Sequence, residues 1–402
     1  MLNNHIKTRG ITLIELMIAM VISLVLLLGV GSIYFNSKRT YLVQEEFAHM
    51  QESARMAMRF MIEDIRMAGY MGCAWNNNLD YGSFLASAGS TADNAAMENF
   101  PVGLEGLEAS ASGPGTTVDL SGTPTAGWNV AVPGFITNVP LPGSDIMIVR
   151  HADGNGAKQV INNTKDNLWL AGATGLTTTS GNTCHGATGI CEGDLLLVTD
   201  CLKSRLFQVT TGMTPDSGGV KISHAGTSTP GPGNSVTDWS TASGNFEFEV
   251  GDSALFRAVA YAYYVANNTS TPPVPSLFRQ ELRPGSAPEE LIEGVENMQI
   301  LYGIDTNKTA ATQTGDGIAN QYATADLVTT STDNVVSARI SLLLATSNAV
   351  STKTSAAAVS KNFILSGMTA ATGTTIKSPA DRRIRKVFTT TVKIRNKGIQ
   401  PP

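Results

Sequence analysis

The chain of 402 residues is poor in the residue types that most catalytic sites use. Charged residues make up only 15% of it, and it has four cysteines and five histidines. The sequence contains no H-E-x-x-H, G-x-S-x-G or G-x-x-x-x-G-K-[ST] motif. These absences argue against a metalloprotease, a nucleophile-elbow hydrolase and a P-loop nucleotidase. We therefore expect a protein that is not an enzyme and holds no cofactor.

Positive charge is also scarce, since the formal net charge is −5. A net negative charge argues against a protein that coats nucleic acid, because such a protein needs many cationic side chains to neutralise the phosphates. Two segments, Asp153-Gly-Asn155 and Asp305-Thr-Asn307, resemble fragments of calcium loops. Neither continues to the Gly and Glu that complete such a loop, and turn chemistry explains both. We predict no metal site.

What the sequence does have is a long apolar run close to its start. A basic leader ends in Lys7-Thr-Arg-Gly10, and the run extends from Ile11 to about Val30 with a single acid, Glu15. A secretory signal peptide is cut after its apolar stretch, behind small residues. Here the glycine precedes the stretch, so cleavage after Gly10 would keep the apolar helix. A run of about 20–24 residues is long enough to span a bilayer.

This junction resembles the prepilin signal of type IV pilins and type II secretion pseudopilins. The resemblance implies cleavage between Gly10 and Ile11 by a prepilin peptidase, which also methylates the new amine. It further implies that Glu15 pairs with that amine on a neighbouring subunit. A carboxylate in the bilayer centre costs about 3 kcal/mol, so it needs compensation of this kind. The alternative is that Glu15 lies near the end of a plain signal-anchor helix and that its side chain extends to the polar interface of the membrane.

Helical periodicity continues beyond the apolar run. One apolar stripe recurs at steps of three and four residues: Phe47, Met50, Ala54, Met58, Met61 and Ile65. No proline interrupts the chain from Ile11 to Arg66, and glycines follow at 69 and 72. We predict a leader over 1–10 and one helix over 11–72. Its transmembrane half is 11–33 and its amphipathic half is 34–72, and a β-rich head follows over 73–402.

We predict an α+β fold whose head is an antiparallel β-sheet with long loops. The predicted strands are Asp145–Val149, Asp194–Val198, Arg205–Val209, Phe246–Val250, Phe256–Val265, Leu277–Leu282, Met298–Tyr302, Val335–Leu344 and Val387–Ile394. Leu291–Val295 is interpreted as a short helix or turn. The polar stretches near 85–130, 211–245 and 305–333 are interpreted as loop insertions.

The four cysteines predict two disulfides, as expected in an exported chain. Three pairings are possible. Cys184 and Cys191 flank a short, turn-rich loop that closes easily, which leaves Cys73 with Cys201 to join the helix end to the head. Zinc is the alternative, but the spacing lacks C-x-x-C pairs.

Four further segments are similar to the PilW family of large minor pilins: Arg66–Cys73, Gly193–Cys201, Glu293–Gly303 and Arg382–Asn396. The resemblance implies an inner-membrane protein with a periplasmic head that later joins the pilus on the cell surface. It implies a role in a priming complex near the pilus tip. The implied partners are PilV-, PilX- and FimU-type minor pilins, the major pilin and a PilY-type tip adhesin. The alternatives are a GspJ-type secretion pseudopilin, for which the chain is long, and a signal-anchored periplasmic ligand-binding protein.

The end of the chain is basic and contains no acid. Its seven cations are Arg382, Arg383, Arg385, Lys386, Lys393, Arg395 and Lys397. They form either a solvated face on a terminal hairpin or a docking patch for an acidic partner or DNA.

Overall fold

The computed structural model describes residues 12–72, 80–86, 91–154, 158–163, 167–172, 175–179, 182–186, 188–200, 202–216, 218–226, 231–236, 239, 248, 251–283, 285–307, 315–328, 334–349 and 360–396. The helices are α1 (Leu13–Met67) and α2 (Thr91–Glu98), with 3-10 turns at Phe100–Val102 and Ala325–Leu327. The strands are β1 (Asp80–Ser83), β2 (Leu104–Leu107), β3 (Thr117–Asp119), β4 (Ile146–Ala152), β5 (Lys158–Asn163), β6 (Asn167–Ala171), β7 (Leu176–Thr179), β8 (Asn182–His185), β9 (Leu195–Thr199), β10 (Lys203–Gln208), β11 (Thr210–Asp216), β12 (Gly219–Ser223), β13 (Ala254–Asn267), β14 (Pro275–Glu281), β15 (Glu289–Glu293), β16 (Val295–Asp305), β17 (Gln321–Ala323), β18 (Asn334–Ala345), β19 (Asn362–Leu365), β20 (Thr374–Lys377) and β21 (Arg385–Lys393).

Helix α1 has 55 residues, which at 1.5 Å per residue makes it about 80 Å long. Thr12 caps its start, and Gly69 turns the chain away after its end with a φ of 72°. The predicted apolar stripe is confirmed, because its members from Met50 onward are buried against the head: Met50, Ala54, Met58, Met61 and Ile65. Phe47 is half-buried beside them. The long helix and the β-rich head confirm the predicted fold class.

A four-stranded antiparallel sheet lies against the second half of α1, in the order β17–β16–β18–β21. Successive side chains of a strand point to opposite faces, and β18 follows this rule. Ile340 and Leu342 join the core beneath α1, whereas Leu343 joins a small core on the other face. That second face is partly covered by a three-stranded sheet, β19–β20–β3.

Strand β13 connects this part of the head to a second lobe. Residues 258–263 of β13 pair with β4, and its C-terminal half also pairs with β14. Its first residues, 254–257, pair with β9. The second lobe has its own apolar core, built mainly from β6, β9, β10 and β12: Leu168, Leu170, Leu196, Val198, Phe207, Val220, Ile222 and Trp239 are among its members.

The longer predicted strands are confirmed as β4, β9, β10, β13, β14, β16, β18 and β21. The interpretation of Leu291–Val295 as a helix or turn is wrong, because β15 pairs with β14 there. All three predicted loop insertions also contain regular structure: α2, β2 and β3 within 85–130, β12 and most of β11 within 211–245, and β17 with a 3-10 turn within 305–333. Except for Phe248, the predicted strand at Phe246–Val250 lies outside the described residues. The missed strands are short, at three to seven residues, so too few residues mark the alternation of a strand.

Candidate assembly site

Glu15 lies in the first turn of α1 and completes a capping box with Thr12. Its Oε2 accepts hydrogen bonds from the Thr12 backbone N–H at 3.1 Å and from the Thr12 hydroxyl at 3.0 Å. The Glu15 N–H donates back to Thr12 Oγ1 at 3.3 Å. Within the described part of the chain no cation pairs with Glu15, and Gly10 and Ile11 lie outside that part. Cleavage at the junction therefore stays a prediction.

The first half of α1 makes almost no contact with the head. Its large apolar side chains from Leu13 to Phe35 are between 50% and 78% exposed. A Cβ placed on Gly29 or Gly31 would meet no atom within 4 Å, so both glycines face open space. The helix is long and apolar enough to cross a membrane. A surface of this size and composition requires lipid or other apolar helices around it.

In addition to its apolar stripe, the second half of α1 is held to the head by a polar cluster around Asp64. Asp64 accepts a hydrogen bond from the Tyr263 hydroxyl, and burial raises the pKa of that tyrosine well above its usual value. Arg279 Nη1 lies 3.8 Å from one Asp64 oxygen, and His151 Nε2 lies 3.8 Å from the other. The cluster fixes the rotation of the helix against β4, β13 and β14.

The end of α1 is capped by residues close to the other end of the chain. The Asn396 side-chain amide donates to the Met67 carbonyl at 3.2 Å, and the Arg395 N–H donates to the Arg66 carbonyl at 3.3 Å. The last carbonyls of a helix have no partner within it, so these bonds satisfy groups that would otherwise be orphaned. Two of the segments similar to the PilW family therefore meet at this point.

A buried ion pair joins the segment Arg382–Asn396 to a third family-like segment, Glu293–Gly303. Arg385 Nε and Nη2 donate to the two carboxylate oxygens of Glu296 at 2.6 and 2.8 Å, and Arg385 also binds Asp381. Burial opposes the charge of Arg385, but the bonds to Asp381 and Glu296 outweigh it and raise its pKa.

The hypothesis of a single basic docking patch needs correction for this reason. Arg385 is buried and paired, so its charge does not face a partner. Lys386 Nζ lies 5.0 Å from the ring centroid of Phe47 on α1, and Arg383 lies 4.0 Å from Asp381. Arg382, Lys393 and Arg395 are exposed, and Lys397 lies outside the described residues.

The Cys184–Cys191 disulfide is present as predicted. Cys73 and Cys201 lie outside the described residues, so their pairing stays a prediction.

Among the described residues no group of three or more His, Cys, Asp or Glu side chains has the arrangement of a metal site. Asp305, from one presumed calcium fragment, accepts the backbone N–H groups of Asn307 and Gly317 at 3.1 and 2.7 Å and so organises a turn.

Sequence reasoning missed a pair of buried carboxyl groups, Glu108 and Asp145. Asp145 accepts N–H bonds from Ala109 at 3.1 Å and Ile300 at 2.9 Å. Glu108 accepts one from Ala325 at 3.3 Å. Burial raises the pKa of both groups, and repulsion between the two raises that of Glu108 further. Nothing in the local pattern around either residue marks it as buried.

A long N-terminal helix with an exposed apolar half, an acid in its first turn and a second half packed into an antiparallel β head defines a pilin-like protein. Comparison with family models refines this class. Residues 6–31 match the prokaryotic N-terminal methylation motif, and residues 262–396 match the type IV pilus-assembly protein W family, PilW. The two matches support a PilW-type minor pilin of the type IV pilus. No curated protein and no solved structure matches it.

Both matches coincide with features described above. The methylation motif contains Gly10, Ile11 and Glu15. The PilW match contains the four-stranded sheet, the Glu296–Arg385 pair and Asn396. The assignment is that of a structural protein associated with type IV pilus components, and the motif and apolar helix are those of a membrane-anchored pilin.

Proposed function

We propose that the chain initiates pilus assembly as a member of the priming complex near the pilus tip, without turnover of a substrate. Before assembly it crosses the inner membrane once and holds its head in the periplasm. A prepilin peptidase cuts between Gly10 and Ile11 and methylates the new amine. Its partners are PilV-, PilX- and FimU-type minor pilins, the major pilin and a PilY-type tip adhesin. After assembly it is part of the pilus on the cell surface.

The exposed apolar half of α1, with Glu15 in its first turn, is the observation that carries this proposal. The surface suits lipid before assembly and neighbouring pilin helices afterwards. The capping bonds to the Glu15 side chain use Oε2. Oε1 therefore stays available to the cationic amine of a neighbouring subunit, so that capping and pairing are compatible.

The PilW match favours the pilus over a GspJ-type secretion pseudopilin. A signal-anchored periplasmic ligand-binding protein would keep its leader and would not depend on Glu15.

The first test is mass spectrometry of the mature N-terminus, from cells with and without prepilin peptidase. We expect an N-methylated Ile11, which disappears when the peptidase is absent. An intact leader in normal cells would overturn the proposal.

The second test is Glu15→Ala at native expression. We expect normal membrane insertion and fewer pili per cell, because the amine of the neighbouring subunit then lacks its partner in the apolar filament core. Glu45→Ala, at an exposed position later in the same helix, is the matched control and should leave pilus number unchanged. Normal piliation in Glu15→Ala would contradict the pairing.

A further inference from the structure

An open cleft of about 600 Å³ lies on the face of the four-stranded sheet that points away from α1. Arg339 on β18 forms part of its floor, between Ala338 and Ile340, which both face the α1 core. On this face the three-stranded sheet covers Leu343. Arg339 and Leu301 are not covered in this way and line the cleft. A cleft of this volume lies within the usual range for ligand sites, about 300–1,000 Å³.

Arg339 brings an uncompensated positive charge to this cleft. Its guanidinium carbon lies 4.2 Å from the ring centroid of Tyr322, which fixes the group without neutralising it. No acidic residue is among the described residues that line the cleft, and no described carboxylate forms an ion pair with Arg339. Ser366, which also lines the cleft, is 5% exposed, and its Oγ has no hydrogen-bond partner.

Two large exposed side chains that line the cleft are apolar. Leu327 is 69% exposed and Met368 is 97% exposed, and both line the opening. Neighbouring exposed apolar side chains are a feature of protein-binding surfaces, where methionine adapts to varied shapes. The lining therefore suits an occupant that carries one negative charge next to an apolar group.

We propose that this cleft docks an acidic peptide segment of another protein. A carboxylate of that segment binds the Arg339 guanidinium, and an apolar side chain beside the carboxylate packs on Leu327 and Met368. Because the cleft lies on the face opposite α1, it stays open when α1 packs among other helices. The inference rests on the lining of the cleft and does not depend on the assembly role proposed above.

The test uses the full-length chain in dodecyl maltoside micelles and three fluorescently labelled peptides. They are acetyl-Ala-Phe-Glu-Phe-Ala-amide, the same peptide with Gln in place of Glu, and acetyl-Ala-Ala-Glu-Ala-Ala-amide. Binding is followed by fluorescence anisotropy. We expect saturable binding of the first peptide and about tenfold weaker binding of the other two, since a charge-assisted hydrogen bond and a buried aromatic ring are each worth at least 1.4 kcal/mol or about tenfold.

Arg339→Gln should weaken binding of the Glu peptide about tenfold. The variant protein should then bind the Glu and Gln peptides with the same affinity. Arg55→Gln removes the same charge from an exposed position on α1 and is the matched control, which should bind like the wild type. Met368→Glu adds a negative charge at an exposed rim position, where folding is little affected, and should also weaken binding of the Glu peptide. If Arg339→Gln does not fold, the Met368→Glu variant tests the proposal in its place. Absence of saturable binding, or equal affinity of the wild type for all three peptides, would overturn the proposal.

Discussion

At the scale of single residues, Glu108 and Asp145 are two buried carboxyl groups close together in the head. Glu108 is 6% exposed and Asp145 is 3% exposed, and the Ser112 hydroxyl lies 3.4 Å from an oxygen of each. Neither forms an ion pair with a described cation. Charging both would place two negative charges together out of water, so at least one of them keeps its proton in the folded chain near neutral pH.

This arrangement predicts a stability that falls as the pH rises. In the unfolded chain a glutamate loses its proton near about pH 4.3, whereas the folded pKa of Glu108 is raised. The stabilisation is therefore complete below the unfolded pKa and is lost as the pH rises through the folded pKa, by up to about 1.4 kcal/mol per pH unit for one proton.

Glu108→Gln keeps the oxygen that accepts the Ala325 N–H but cannot ionise. We expect its thermal unfolding temperature to fall less than that of the wild type between about pH 5 and about pH 8. Glu45→Gln, on the exposed surface of α1, is the control. Parallel curves for Glu108→Gln and the wild type would show that Glu108 ionises at no cost in the folded head.

At the scale of elements, the second half of α1 depends on the face that it packs against the head. Met61 is completely buried between α1 and the head, whereas Met56 is 43% exposed on the same helix. We expect Met61→Ala to reduce the free energy of unfolding by about 2–5 kcal/mol, because the head cannot fill the space that is left. Met56→Ala should change it by less than about 0.5 kcal/mol.

The comparison is made by urea unfolding of the full-length chain in micelles, followed by near-UV circular dichroism. A similar loss of stability in both variants would mean that the helix, rather than its contact with the head, sets the unfolding midpoint.

The helices and strands also differ in how well the sequence predicts them. α1 and long strands such as β13, β16 and β18 are marked by long apolar patterns, and these predictions are confirmed. β12 buries only Val220 and Ile222 among polar neighbours, so its pattern is too short to distinguish a strand from a loop. Arg385 illustrates the limit for side chains. Its partner Glu296 lies 89 residues away, and only the pairing of β16, β18 and β21 brings the two together.

At the scale of the whole molecule, strand β13 contributes to four apolar cores of the described residues, two of which lie in different parts of the head. One core includes the second half of α1 and the four-stranded sheet, and the other belongs to the lobe around Trp239. The Cys184–Cys191 disulfide lies at the edge of the second core, where Ile190 is buried and Leu176 is packed against it. The bond therefore constrains the second lobe directly and the α1 core only indirectly, through β13 and through the core that contains Leu197 and Leu206 and contacts Tyr70.

Replacing both Cys184 and Cys191 by Ser should accordingly loosen one lobe and spare the other. Closing a loop of this length is worth about 2–3 kcal/mol in the chain-entropy treatment. We expect faster amide hydrogen exchange in β9, β10 and β12, and unchanged exchange in the buried part of α1 from Met50 to Ile65. Equal acceleration in both regions would contradict this expectation and show that the two cores open as a single cooperative unit through β13.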